Sequence, residues 1–398
     1  MASYAIPFNK PGLVGKELSY IGEAVAKGHS AGDGVFSRRC QALLERELGV
    51  AKALLTTSCT HALEMAALLL RIAPGDEAIV PSFTFVSTAN AFALRGARPV
   101  FADIQADTLT LDPRGLEALI TPRTRAIVVV HYAGVGCDMA AIQEIASRHA
   151  IPVVEDNAHG LFGRYRGRPL GTFGCLATLS FHETKNFACG EGGALLINDP
   201  SFIERAEILR EKGTDRSRFF RGETDKYTWV DLGSSYVPSD LLAAWLYAQF
   251  EARQEIQNRR RWIWHRYRDG LKEWAAAEGV RLPFVPQECE QSWHMFYLVM
   301  PSLEVRQRFI AHLKSRGILA VFHYVPLHLS NMGAQFGGRP GQCSVTERVA
   351  ERLVRLPFYN TLTAAEQDTV IGAALAFRAS GAVHGWRMAS GDGSRIRE

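Results

Sequence analysis

One lysine of the chain lies in a setting suited to covalent chemistry. Lys185 closely follows an apolar run that ends at Phe181, and the glycine-rich segment 189–193 comes soon after it. A lysine held at the end of a buried strand, beside backbone that can bend sharply, could form a Schiff base with an aldehyde cofactor. Most lysines are solvated surface residues, so the neighbours of Lys185 have to support this interpretation.

Small hydroxyl residues follow the first apolar run of the chain. The segment Thr56-Thr-Ser-Cys-Thr-His61 leads straight into a helical stretch. Ser58, Cys59 and Thr60 would therefore present hydroxyl and amide groups at a helix N-terminus, which is suited to binding phosphate. Serine and threonine also cap helices that bind nothing, so an ordinary N-cap remains the alternative.

Two further side chains fall just after apolar runs. Asp156 follows the fifth run by two residues, at a strand end where a buried carboxylate is costly unless a cation or strong donors meet it. It is either a helix cap or the partner of a positively charged ring nitrogen. Phe85 follows the second run and could stack on a flat ring, or it could simply fill the core. With the lysine and the phosphate site, these residues match the needs of pyridoxal phosphate, whose ring nitrogen must stay protonated.

Seven short apolar runs alternate with helical stretches and would position these residues. The alternation predicts an α/β fold with one large, mostly parallel sheet that is covered by helices on both sides. Ligands of such sheets bind at the carboxyl ends of the strands, which is where the polar residues described above fall. The runs cover residues 53–55, 78–80, 99–102, 126–130, 152–154, 177–181 and 194–197, and the helical stretches cover residues 61–72, 86–94, 113–120 and 139–150.

The length of 398 residues predicts about two domains. We expect an N-terminal arm over residues 1–35 and a large cofactor-binding domain over residues 36–250. A smaller C-terminal α+β domain would cover residues 251–377, and residues 378–398 would form a mobile tail. One long amphipathic stretch, residues 241–272, would connect the two domains.

Composition argues against several classes of function. The net charge is only +4 and the basic residues are dispersed, which does not indicate nucleic-acid binding. No apolar run reaches the roughly 20 residues needed to span a bilayer, and the N-terminus lacks the pattern of a signal peptide. The seven cysteines are scattered, which indicates reduced thiols and no metal site. We therefore expect a cytoplasmic protein without membrane insertion.

Five segments resemble the sugar aminotransferases of the DegT/DnrJ/EryC1/StrS family. The similarity extends over about residues 5–375, and the segments are specific as a set. The resemblance implies the fold type I of pyridoxal phosphate-dependent transferases, which is aspartate aminotransferase-like, and a homodimer with active sites at the subunit interface. It also implies transfer of the amino group of L-glutamate to the C4 ketone of a nucleotide-linked 6-deoxy sugar. The segments are Ser58-Cys-Thr-His-Ala-Leu63, Pro81-Ser-Phe-Thr-Phe-Val-Ser-Thr88, Val154-Glu-Asp-Asn-Ala-His159, Ser180-Phe-His-Glu-Thr-Lys-Asn186 and Gly190-Glu-Gly-Gly193.

The resemblance also implies roles for individual residues in binding pyridoxal phosphate. Lys185 would bind the aldehyde and move the proton during transfer, and Asp156 would pair with the pyridinium nitrogen. Phe85 would stack on the ring, and His159 would lie beside the ring near its hydroxyl group. The contacts to the phosphate would come from Ser58, Cys59, Thr60 and Ser180.

One segment departs from the pattern of the family. Many members carry Gly-x-Asn-x-Arg, whose asparagine reaches the phosphate in the neighbouring subunit, whereas this chain has Gly233-Ser-Ser-Tyr-Val-Pro238. Ser235 occupies the asparagine position and can still donate a hydrogen bond. Substrate contacts are expected from a second set of residues, for which a solvated loop or a structural histidine is an equally good explanation. This set is Arg216, Arg218, Arg221, His323, Tyr324 and His328.

Three alternatives remain open at this point. Sugar 3-dehydratases resemble the same pattern but have histidine at the lysine position, so Lys185 argues against them. A non-catalytic sensor or regulator on the same fold would not need the intact lysine, aspartate and phosphate site. The same chemistry could also act on a uridine-linked sugar or at C3, because loop geometry selects the base and the sugar.

Overall fold

The computed structural model describes residues 4–379. All but the first two residues of the predicted tail therefore lie outside the described residues. The strands of the described part are β1 (Lys52–Thr56), β2 (Glu77–Pro81), β3 (Arg98–Ala102), β4 (Thr124–Val130), β5 (Val153–Asp156), β6 (Arg164–Tyr165), β7 (Arg168–Pro169), β8 (Leu176–Ser180), β9 (Gly193–Ile197), β10 (Cys289–Glu290), β11 (Tyr297–Val299), β12 (Val321–Phe322) and β13 (Leu353–Arg355).

The α-helices lie between and after these strands. No helix within residues 4–379 combines the length and the apolar character needed to cross a membrane. The α-helices are α1 (Glu17–Ala26), α2 (Val35–Leu48), α3 (Cys59–Leu69), α4 (Val86–Ala93), α5 (Met139–Arg148), α6 (Ile203–Arg210), α7 (Arg216–Phe220), α8 (Asp240–Glu251), α9 (Arg253–Ala277), α10 (Leu303–Lys314), α11 (Asn331–Gln335), α12 (Ser344–Arg352) and α13 (Ala364–Leu375).

The seven predicted apolar runs form one seven-stranded sheet. Its strand order is β1-β9-β8-β5-β4-β2-β3. The pairs β2–β3, β2–β4, β4–β5 and β5–β8 are parallel, whereas β9 is antiparallel to β1 and β8. The prediction of a mostly parallel sheet is therefore confirmed, and the carboxyl ends of β4, β5 and β8 lie at the same edge.

Helices cover both faces of this sheet, as the alternation predicted. Leu54 of β1 points into a core that includes apolar residues of α3, α4 and α6. Its neighbours Ala53 and Leu55 point to the other face and pack with residues of α2 and α8, while α5 covers the β2, β4 and β5 region of that face. Successive strand residues alternate between two buried faces, which explains why the strands consist of continuous apolar runs.

Two predicted helices differ from the structure. Residues 113–120 form two short 3-10 turns, Pro113–Gly115 and Glu117–Leu119, because Asp112 and Pro113 favour a turn start and Gly115 is a poor helix former. Residues 241–272 belong to two helices, α8 and α9, which are separated at Ala252. The apolar residues of α8 pack on the large sheet, whereas most of those of α9 pack in a second core, and the break lets each helix face its own core.

The second core belongs to the C-terminal part of the chain. The sheet β11-β13-β12 packs with α9, α10 and α13 around side chains such as Trp264, Phe296 and Phe309. The N-terminal segment reaches this part, since Ile6 forms a parallel bridge with Ile318. Residues 318–324 contribute only the two-residue strand β12 to this part. The exact boundaries of the arm and the two domains stay a prediction.

Candidate active site

A cavity of about 650 Å³ opens at the carboxyl edge of the large sheet. The ends of β4, β5 and β8 contribute to its floor, and residues of the C-terminal part close it from the other side. Chain segments far apart in sequence therefore supply one site. Among the residues that the sequence singled out, the cavity is lined by Ser58, Cys59, Thr60, Phe85, Asp156, His159, Ser180, Lys185, His323 and Tyr324.

Lys185 lies in the loop that connects β8 to β9. Backbone hydrogen bonds from Phe181 N to Gly192 O and from Glu183 N to Gly190 O hold the two sides of this loop together. Within residues 4–379, no hydrogen bond or ion pair engages the Nζ atom of Lys185. Burial lowers the pKa of the Lys185 amine from 10.5 to about 8, although Cys59 and Asp156 oppose the shift. A larger neutral fraction makes this amine a better nucleophile and base at neutral pH.

Asp156 is a buried carboxylate without a cationic partner. It is 5% exposed, and its oxygens accept from Thr88 Oγ1 at 2.7 Å and from Ala158 N at 3.2 Å. No lysine, arginine or histidine of the described chain lies within 4.0 Å of its oxygens. Burial raises the pKa of this carboxyl group, while Thr88 and Ala158 lower it. A turn rather than a helix follows Asp156, so the helix-cap alternative is not supported.

The N-terminus of α3 faces the same cavity. Ser58 is its N-cap and accepts from His61 N at 3.1 Å, while Thr60 Oγ1 lies 2.8 Å from Ser87 Oγ. The amides of the first helical turn have no partner inside the helix, and the helix dipole favours an anion there. The backbone of β9 approaches closely, since a Cβ on Gly193 would lie 2.4 Å from Cys59 N. Ser58 therefore caps the helix, and the amides of Cys59 and Thr60 remain available to an anion.

Aromatic rings surround the rest of the cavity. His159 stacks on His294, with ring centroids 4.2 Å apart and planes at 15°. Burial lowers the pKa of both histidines well below 6.5, so both rings are neutral at pH 7. His159 Nδ1 is buried and has no hydrogen-bond partner within residues 4–379. Tyr132 Oη lies 2.9 Å from His323 Nδ1, and Phe85 is 56% exposed at the mouth.

These observations fit pyridoxal phosphate on grounds of chemistry. Asp156 lacks a cation, which a protonated ring nitrogen would supply. Lys185 has an unengaged amine for the aldehyde, and the amides of Cys59 and Thr60 can take the phosphate. His159 Nδ1 can bond a polar group on the ring.

Some predicted site residues do not reach this cavity in the single chain. Arg218 and Arg221 form ion pairs with Glu204 and Glu207 on the surface, at 3.2 and 2.7 Å. The guanidinium group of Arg216 lies 5.0 Å from the centroid of the Phe220 ring. Ser235 is exposed, and its backbone bridges to Glu211. Ser235 and the three arginines therefore do not line the cavity of the single chain.

His328 is not brought to the cavity either. It is 0% exposed, with Nδ1 at 2.6 Å from Ser82 Oγ and Nε2 at 2.9 Å from Glu347 Oε1. Both ring nitrogens are therefore engaged inside the protein, and the ring connects β2 to α12. This geometry agrees with a structural role for His328, which was one of the two interpretations of the sequence, and not with a substrate contact.

The substitution His328→Leu is expected to lower the free energy of unfolding by about 2–4 kcal/mol, because it leaves Ser82 and Glu347 without their partner. The apparent affinities for amino donor and sugar should stay within about twofold, since the ring does not line the cavity. Chemical denaturation and steady-state kinetics measure the two quantities. A large rise in substrate KM with unchanged stability would contradict this structural role.

A second expectation follows from the burial of Lys185. Its pKa is about 8 in the folded chain, against about 10.5 in the unfolded chain, so the unfolded state binds more protons between these values. Charged Lys185 therefore destabilises the cofactor-free fold below pH 8, and this cost disappears as the pH rises towards 10.5. Lys185→Met should stabilise the cofactor-free protein by about 2–3 kcal/mol at pH 7 and by much less at pH 10. Denaturation at both pH values checks this, and an equal gain at both would contradict it.

Sequence reasoning missed several residues of the site, among them Thr88, His294 and Arg355. Thr88 holds Asp156, and its position in a quoted motif, on the buried face of α4, was a signal that could have found it. His294 and Arg355 line the cavity from the C-terminal part of the chain. Nothing in their local sequence indicates this, because only the packing of the C-terminal part on the large sheet brings them near Lys185.

Comparison with known proteins agrees with this geometry. The sequence profile of the DegT/DnrJ/EryC1/StrS aminotransferase family matches residues 14–375. The spore coat polysaccharide biosynthesis protein SpsC of Bacillus subtilis (strain 168) is 33% identical over 383 residues, which cover 93% of this chain and 96% of that protein.

Solved structures share the fold over most of their length. The aminotransferase TlmJ from Streptoalloteichus hindustanus is 33% identical, with a TM-score of 0.85 and coverage of 93% of this chain and 98% of that chain. The pyridoxal phosphate form of the putative sugar aminotransferase Spr1654 from Streptococcus pneumoniae is 26% identical, with a TM-score of 0.86 and the same coverage. The predicted fold type I is thereby confirmed. The chain belongs to the DegT/DnrJ/EryC1/StrS aminotransferase family and is a pyridoxal phosphate-dependent sugar aminotransferase.

Proposed function

We propose that the enzyme transfers the amino group of L-glutamate to the C4 ketone of dTDP-4-keto-6-deoxy-D-glucose, which gives dTDP-4-amino-4,6-dideoxy-D-galactose. The observation that carries the amino transfer is the cavity that joins the free amine of Lys185, the unpaired carboxylate of Asp156 and the amides of the α3 N-terminus. The choice of sugar is supported by sequence resemblance to the transaminase of this reaction in enterobacterial common antigen synthesis. The resembling segments are residues 212–222, 231–236 and 321–328.

The relatives support a place in polysaccharide synthesis. SpsC carries spore coat polysaccharide biosynthesis in its name, and it matches nearly the whole chain. An amino sugar linked to a nucleotide is an activated building block for such polymers. We therefore propose that the product is consumed by a glycosyl-transfer reaction.

Different residues of the cavity would have different roles in the reaction. Bound pyridoxal phosphate supplies an aldehyde and an electron sink. Lys185 Nζ would hold that aldehyde, and its amine would take up the proton from Cα of glutamate. In the second half-reaction the same amine would give a proton to C4 of the sugar. Asp156 would keep a proton on the ring nitrogen, and the amides of Cys59 and Thr60 would hold the phosphate in register.

We also propose that the enzyme is a homodimer with shared active sites. Apolar side chains are exposed along residues 216–236 of the single chain, among them Phe220 at 68% and Trp229 at 76%. Exposed apolar clusters of this kind mark protein interfaces. A partner subunit would cover them and could bring Ser235 to the neighbouring phosphate. Analytical ultracentrifugation tests the dimer, and unchanged cofactor retention in Ser235→Ala would exclude that role of Ser235.

We propose a cytoplasmic location for the enzyme. All seven cysteines are free thiols, and most of them are buried. Unpaired cysteines agree with a reducing compartment. Fractionation of the native host checks this proposal.

The visible spectrum of the purified protein tests the proposed reaction. Glutamate should bleach the band of the lysine-bound cofactor, and dTDP-4-keto-6-deoxyglucose should restore it. Bleaching without restoration would leave the amino transfer in place and overturn this substrate, in favour of a uridine-linked sugar or amination at C3. The absence of a band after incubation with pyridoxal phosphate would overturn the role of Lys185.

A further inference from the structure

Arg355 is a cation in the wall of the cavity, and no carboxylate within residues 4–379 neutralises it. It ends β13, the central strand of the β11-β13-β12 sheet, and its side chain lines the cavity together with Lys185. Its Nε atom is buried and has no hydrogen-bond partner, and no acidic group of residues 4–379 lies within 4.0 Å of its guanidinium group. The one ring beneath it within residues 4–379 is Phe8, at 4.6 Å from the centroid.

A fully buried arginine shows how the protein satisfies such a group when its role is structural. Arg260 is 2% exposed, whereas Arg355 is partly buried, and the guanidinium group of Arg260 donates to Trp293 O at 2.9 Å, to Asn360 Oδ1 at 2.8 Å and to His294 O at 2.5 Å. Arg355 has no comparable set of acceptors. Because burying a guanidinium group without acceptors is costly, the arrangement around Arg355 is complete only when an anion enters the cavity.

The position of Arg355 distinguishes between the anions that the reaction uses. Burial lowers the pKa of Arg355, whereas the hydroxyls of Tyr132 and Tyr324 raise it. The charge of Arg355 in turn lowers the pKa of Lys185 and of the histidines beside it, so Arg355 lies close to the reacting amine. The diphosphate of a nucleotide sugar is separated by the sugar ring from the C4 carbon that reacts. The α-carboxylate of an amino acid, in contrast, is bonded directly to the carbon that reacts.

We propose that Arg355 binds a carboxylate of the amino donor. This inference rests on the proposed function, because it assigns a binding residue to the first half-reaction. The planar guanidinium group of arginine offers two parallel N–H donors that match a carboxylate. With that contact Arg355 orients the amino acid so that its Cα faces Nζ of Lys185.

Half-reaction titrations of three variants test the proposal. Arg355→Leu removes the charge, and Arg355→Lys keeps the charge but loses the two parallel N–H donors. Arg352→Leu is the control, because it removes a charge three residues away and outside the cavity. The measured quantities are the L-glutamate concentration that half-bleaches the holoenzyme and, separately, the affinity for dTDP by calorimetry. We expect the glutamate concentration to rise on the order of 30-fold or more in Arg355→Leu and about 5- to 10-fold in Arg355→Lys. Arg352→Leu should change it by less than about twofold, and dTDP affinity should be constant throughout.

Two results would overturn the role of Arg355 and leave the proposed amino transfer unaffected. One is an unchanged glutamate titration in Arg355→Leu or, if that variant does not fold, in Arg355→Lys. The other is weakened dTDP binding with unchanged glutamate binding, which would identify the anion as a diphosphate. Failure of the proposed function looks different, because the wild-type band would then not return when the keto-sugar is added.

Discussion

Lys185→Ala is expected to slow both half-reactions by on the order of 10⁴-fold or more. In the proposed mechanism the Nζ atom of Lys185 binds the aldehyde and carries the proton, so its loss would remove a nucleophile and a general base together. No other lysine lines the cavity within residues 4–379. The neutral histidines beside it do not replace an amine that forms a covalent bond.

Single-turnover absorbance measurements with glutamate and with the keto-sugar give the two rates for Lys185→Ala. Lys314→Ala serves as the control, because it removes an exposed lysine at the end of α10. Borohydride reduction followed by peptide mass spectrometry should place the cofactor mass on Lys185 in the wild type. A labelled peptide elsewhere in the chain, or a rate loss of less than about tenfold, would contradict this role.

The second large effect is expected for Asp156→Asn, which should slow both half-reactions by on the order of 10²–10³-fold. Of the two acidic residues that line the cavity within residues 4–379, Asp156 is buried and Glu191 is exposed. The carboxylate of Asp156 would therefore hold the proton on the ring nitrogen, and an amide cannot do so by charge. The stability of the cofactor-free protein, in contrast, should benefit from this substitution. Burial raises the pKa of Asp156 above its ordinary value of 3.8, so the wild type loses stability as the pH rises from 3.8 towards the higher folded-state pKa. The asparagine variant has no group that titrates there.

Asp103→Asn is a matched control for this substitution. Asp103 accepts hydrogen bonds from Val345 N and Thr346 N at the start of α12, so its loss should cost stability and leave both half-reactions unchanged. Stopped-flow spectra measure the rates of both variants. Full activity of Asp156→Asn would show that the ring nitrogen is protonated without this carboxylate.

The sheet could be predicted from the sequence because its strands are buried on both faces. Such strands consist of continuous apolar runs, and each of the seven runs became a strand of the large sheet. Residues 113–120 and 241–272 were predicted less well. Local turn residues and a glycine interrupt the first stretch, whereas packing on two different cores sets the break in the second.

The residues at the strand ends could also be predicted, because the carboxyl edge of a parallel sheet gathers whatever follows its strands. Lys185, Asp156 and the 58–60 turn were found in this way, and they share one cavity. The sequence could not show whether His328 contacts the substrate or has a structural role. Its hydrogen-bond partners, Ser82 and Glu347, come from distant segments of the chain.

The sequence by itself therefore determined the class of fold, the lysine and its cofactor, because these depend on local patterns and on the order of the strands. Only the tertiary structure decided which polar groups are satisfied within the protein and which are left for a ligand. Asp156 and Arg355 are of the second kind, and Arg260 and His328 are of the first. Burial and hydrogen bonding depend on neighbours that folding brings together from distant segments, and no local pattern contains that information.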